Sequence, residues 1–158
     1  MKTQIINILR REKDPSIRFE VLEKYFQHIN SEEDVLLLVE ILKEDKDPCV
    51  RHEAAAQLFK VEEKKNHLLK GHKSIVISAL LDRAYNDESI VVRHESIEAL
   101  GYLIDKNSLN KLKELAKDTN LDIQSTAEIA FRTAERIMNK NISAINLSNY
   151  LIQNWVEA

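Results

Sequence analysis

The chain has 158 residues, 44% of them hydrophobic and 31% charged, with a formal net charge of −3. That length suits a single domain, and that balance excludes a disordered or membrane-embedded chain. Two glycines and two prolines are too few for the tight turns of a sandwich or barrel, and interspersed charge offers no basic field for nucleic acid.

The class expected is therefore all-α. The opening MKTQIINILRREKD breaks into charge too early for the apolar core of a signal peptide, and no stretch approaches the ~20 apolar residues that span a bilayer. Cys49 stands alone and has no intramolecular disulfide partner, which suits a reducing compartment, so the location expected is the cytoplasm.

In chain order, a first helix is predicted around Ile5 to Leu9. Asp14-Pro15-Ser16-Ile17-Arg18-Phe19-Glu20 then opens a pattern that returns 33 residues later as Asp47-Pro48-Cys49-Val50-Arg51-His52-Glu53. A third copy, Ser89-Ile90-Val91-Val92-Arg93-His94-Glu95, follows after 42 residues, and a degenerate fourth, Asn120-Leu121-Asp122-Ile123-Gln124-Ser125-Thr126, after 31. Apolar residues recur at helical spacing behind each start: Ile17, Val21, Leu22 and Phe26; Val50, Ala54, Leu58 and Phe59; Val92, Leu100 and Leu103. Pro15 and Pro48 suit a first helical turn, where a missing N–H is harmless, and Asp14 and Asp47 are placed to cap it.

A second, more apolar helix is predicted in each unit, over Val35 to Leu42, Ile75 to Tyr85 and Leu109 to Ala116. The pattern describes one domain, residues 1–158, built as a short α-solenoid of about four helical hairpins. Its units start near 14, 47, 89 and 120, with an insertion over 62–73. A hairpin of this kind cannot bury both apolar faces alone, so the ends need capping helices. The first helix caps one end. Leu121 to Met138, a break at Asn141, and Ile142 to Val156 with Tyr150 and Trp155 close the other.

Asp-Pro-x-Val-Arg followed by an Ala-rich helix ending in Leu-Gly resembles the HEAT-like repeats named after the phycobiliprotein lyases. Val50-Arg51-His52-Glu53-Ala54-Ala55-Ala56-Gln57-Leu58 and Val92-Arg93-His94-Glu95-Ser96-Ile97-Glu98-Ala99-Leu100-Gly101 carry the resemblance, which covers roughly residues 14 to 135. It implies a fold and leaves function open.

Two units carry an Arg-His-Glu triplet at one repeat position, which sets His52-Glu53 and His94-Glu95 in a row on one surface. Neighbouring helices pack about 8–10 Å apart, near enough for two imidazoles to lean toward one ion. Adjacent residues point about 100° apart around a helix, so one triplet does not hand both groups to the same ion. The glutamates suit a second metal or the support of the ligands. On the other reading the row is a solvated face, with Arg18, Arg51 and Arg93 bonding acidic groups of adjacent units.

The paired triplets also resemble deoxyhypusine hydroxylase, a HEAT-repeat enzyme whose His-Glu pairs bind two irons and activate oxygen to hydroxylate a modified lysine. The resemblance implies that His52, Glu53, His94 and Glu95 are iron ligands amounting to one half of such a site, with a homodimer bringing two halves together. Phe19-Glu20 and Ser125-Thr126 occupy the corresponding places in the outer units, so the second pair of motifs is missing, and the insertion lengthens the interval between the two triplets.

The segment Glu62 to Lys73 is expected as a mixed-charge surface loop, with His67 and His72 as further donors. The chain has no glycine-rich phosphate loop and no cysteine pair for zinc. Two functions stand on this reading. One is a protein–protein interaction module, with a protein partner and neither nucleic acid nor membrane. The other is a non-haem di-iron hydroxylase completed by dimerisation.

Overall fold

The structure, a computed structural model, describes residues 2–103, 105–106 and 108–140. Its helices are α1 (Lys2–Arg11), α2 (Pro15–Tyr25), α3 (Glu32–Glu44), α4 (Pro48–Lys65), α5 (Lys73–Asn86), α6 (Ile90–Leu103), α7 (Leu109–Leu115) and α8 (Leu121–Lys140), and no strand occurs among the described residues. The break expected at Asn141 and the segment Ile142 to Val156, with Tyr150 and Trp155, lie outside the described residues. No helix among those described is long and apolar enough to cross a membrane.

The helix starts form where the repeat pattern sets them. Asp14 accepts the Ser16 amide at 2.9 Å, and Asp47 accepts those of Cys49 at 2.9 Å and Val50 at 3.2 Å. Asn120 does the same for Asp122 and Ile123 at 3.0 and 3.1 Å, so the degenerate fourth unit keeps its cap without a proline. The opening helices α2, α4, α6 and α8 stack in sequence as one layer, and α3, α5 and α7 each pack against the opening helix of the next unit. The result is an all-α, solenoid-like stack.

The core runs along the junction of the layers. Leu22, Leu38, Leu42, Leu58, Leu80, Leu100 and Leu112 are fully buried in one continuous cluster. Burying each such side chain contributes roughly 1.5–3 kcal/mol, which drives the stacking of hairpins that cannot bury both faces alone. Gly101 lets α6 approach α8 closely: a Cβ there would stand 3.1 Å from the Ala130 Cα.

A polar ladder pins the register of the units. Arg18 donates to both carboxylate oxygens of Asp45, at 2.8 and 2.7 Å, and Arg51 to both of Asp87, at 2.8 Å each. Arg93 continues the series with a bond to Asp118. Each aspartate also accepts an amide in the turn that starts the next unit, those of Asp47, Ser89 and Asn120. The arginine of one unit therefore fixes the entry of the following one.

The segment 62–73 differs from the surface loop expected. Residues 62–65 continue α4, Asn66–Leu69 form a 3-10 turn, and Leu68 and Leu69 enter the core. Lys65 donates to the carbonyls of Phe26 and Ile29, at 2.9 and 2.7 Å, closing the end of the first hairpin. Apolar burial and two backbone carbonyls that need donors override the charged composition of the stretch.

Candidate functional site

His52, Glu53, His94 and Glu95 sit in the first and second turns of α4 and α6, on adjacent helices of one layer. His52 projects toward α6, where its Nε2 lies 3.2 Å from the Glu95 Oε2, with the two side chains 32% and 16% exposed. The hydrogen bond to Glu95 raises the His52 pKa above the usual histidine value, outweighing partial burial, and the charges of Glu53 and Glu98 act in the same direction.

The remaining two residues turn elsewhere. Glu53 is buried on the flank of α4, where it accepts from Gln57 Nε2 at 3.1 Å and lies 3.6 Å from Lys60 Nζ. Gln57 donates also to the Leu22 carbonyl, so this pair faces α2, on the opposite side from His52 and Glu95. His94 points along the layer to α8. Its Nδ1 is 2.9 Å from the Thr126 hydroxyl, which also lies 2.7 Å from the Asp122 carbonyl. His94 Nε2 faces Glu98 at 3.3 Å, one turn along α6.

The structure thus brings His52 and Glu95 together and separates Glu53 from them. A non-haem iron centre of the two-histidine, one-carboxylate kind needs three protein donors on one ion. Among the described residues no group of three or more His, Cys, Asp or Glu converges in that way. Among the described residues the row brings together one histidine and one carboxylate, a histidine fewer than such an ion takes. His67 is exposed beyond the end of α4, and His72 pairs with Glu32 of α3 at 3.0 Å, so neither completes it.

Two hollows flank the row. The larger, about 650 Å³, spans the starts of α2, α4 and α6 and is lined by Pro15, Phe19, Pro48, Cys49, His52 and Val91. The smaller, about 230 Å³, lies between α4, α6 and α8 against Phe59, His94, Glu98, Tyr102, Thr126 and Ile129. Phe59 and Tyr102 meet across α4 and α6 with ring centroids 4.7 Å apart. Phe59, Glu98, Tyr102, Thr126 and Ile129 were not singled out as site residues from the sequence. Phe59 reads there as one more core position, and Thr126 as the loss of a motif. The signal available was register, since Thr126 holds the place that Glu53 and Glu95 hold in their units.

The comparisons with known proteins bear on this row. Part of the chain is similar to deoxyhypusine hydroxylase from Debaryomyces hansenii, 39% identical over 67 residues, which is 42% of this chain and 22% of that enzyme. The likeness therefore links the chain to a helical enzyme over about a fifth of that enzyme's length. No family model matches the chain, so the resemblance to phycobiliprotein-lyase repeats gains no support from one.

Proposed function

We propose that the chain is a protein-binding module whose recognition face is the layer of α2, α4, α6 and α8. The observation that carries this reading is the pair of hollows, both lined only by those helices and their caps, and both bordered by exposed apolar residues. Val91 is 58% exposed beside one and Ile129 67% exposed beside the other. Apolar groups left in water at the edges of concave sites mark surfaces that gain by being covered. The partner is a protein segment carrying apolar side chains. A net charge of −3 argues against nucleic acid, and the lone, exposed Cys49 suits the cytoplasm. Capture from the host lysate, repeated with Val91→Asp and Ile129→Asp, tests it: the variants should lose the partner that the parent protein retains. Equal recovery by all three would exclude this face.

The match to deoxyhypusine hydroxylase favours a second reading, in which the chain is a hydroxylase acting on a deoxyhypusine residue. His52, Glu53, His94 and Glu95 are the iron ligands the likeness implies; holding the metal would require Glu53 to turn from α2 toward the others, and a second copy would supply the donors that one chain lacks. Iron content of protein purified without a histidine tag, alongside His52→Ala and His94→Ala, tests this reading. It requires iron in the parent protein and loss of iron in both variants.

A further inference from the structure

The two histidines of the row obey one rule of register. His52 of the second unit meets Glu95 of the third, and His94 of the third meets Thr126 of the fourth. Glu95 and Thr126 occupy the same repeat position, one residue after the histidine place of their own units. Each histidine therefore bonds forward, to the next helix in the layer. The exception obeys the same rule. In the first unit the histidine place holds Phe19, which has no group to offer Glu53, and Glu53 instead accepts from Gln57 and lies 3.6 Å from Lys60 Nζ.

We propose that the His-Glu row of this chain is an inter-repeat ladder, a second set of rungs beside that of Arg18, Arg51 and Arg93, rather than a ligand set for a metal. Glu53 turns inward because its rung partner is absent, and His52 points to Glu95 of α6 while His94 points on to Thr126 of α8, so the two rings do not converge on one point. The rungs fix the spacing of α4, α6 and α8, and with it the width of the hollow between them. This goes beyond the proposed binding function, does not depend on it, and stands as the alternative to the iron reading.

The test is thermal unfolding of tag-free protein, without metal and with ferrous iron added under nitrogen. The ladder predicts that His52→Ala and Glu95→Ala each lower Tm by about 2–6 °C, that the double variant loses less than the sum, and that iron leaves the parent Tm unchanged. Glu95→Gln, which keeps an acceptor in place, should retain more than half of the parent's advantage over Glu95→Ala. Thr126→Val, which keeps the shape and removes the hydroxyl, should lower Tm as well. Two results would overturn the proposal: additive single variants, or a rise in parent Tm with ferrous iron that His52→Ala or Glu95→Gln abolishes.

Discussion

Arg51 of α4 and Asp87 at the end of α5 stand 36 residues apart in sequence and meet through two parallel hydrogen bonds of 2.8 Å. The aspartate side chain is wholly buried and the arginine 6% exposed. Arg51 also donates to the carbonyls of Asp45 and Lys46, at 2.9 and 3.1 Å, so one guanidinium ties together the turns that open two successive units.

Removing one partner of that pair leaves a buried charge without compensation. Asp87→Ala should therefore destabilise the fold by about 3–5 kcal/mol. Urea unfolding followed by circular dichroism checks this. A loss under 1 kcal/mol would show that the pair contributes little to the register of the stack.

Asp34, at the start of α3, gives the fold an acid limit. Burial pushes its pKa up, but hydrogen bonds from Lys2, Tyr25 and the amides of Asn30 and Ser31 outweigh it and bring the value to about 2. A folded value below the unfolded one means that the stabilisation is present above about pH 3.8 and is lost as pH falls through about 2. The contribution at neutral pH is on the order of 2 kcal/mol. Stability measured from pH 5 to pH 2 should fall more steeply in the parent protein than in Asp34→Asn, and parallel curves would refute the assignment.

Gly101 is required for packing rather than for a turn. Its missing side chain faces the Ala130 backbone, with Cα at 3.1 Å and O at 3.2 Å. Gly101→Val should push α8 from α6 and cost about 1–3 kcal/mol. Because Ala130 lines the smaller hollow, the same variant should weaken whatever binds there. Unfolding and binding measured on one preparation check both effects.

Much of the fold was legible from the sequence because its determinants are local. Asp-Pro starts, an arginine four residues on and leucines at helical spacing appear in the sequence as they act in the structure. The arginine ladder was half visible. The sequence showed Arg18, Arg51 and Arg93 reaching for acidic groups, but not that Asp45, Asp87 and Asp118 receive them, since that depends on how the units stack. Ile17 matches Val50 and Val92 in repeat position, yet it is 43% exposed where they are fully buried. Among the described helices none precedes α2 in its layer to cover it. Leu68 and Leu69 were hidden within a charged stretch, because local composition does not report a core that other units complete.

The site was less legible. The matched triplets announced His52 and His94, but a shared sequence position does not make two side chains converge. Glu53 and Glu95 share a position as well, and one faces α2 while the other meets His52, because Phe19 in the preceding unit offers no partner. The aromatic contact of Phe59 with Tyr102 joins two units across 43 residues of sequence and is set by the close approach of α4 and α6.

The central claim is that partners are recognised on the layer of α2, α4, α6 and α8. A photo-crosslinking amino acid placed at Ile129, 67% exposed on that layer, and separately at Leu36, 37% exposed on α3, tests it most directly. The account predicts a discrete crosslinked partner from position 129 and none from position 36. The same adduct from both positions, or an adduct from position 36 alone, would contradict it.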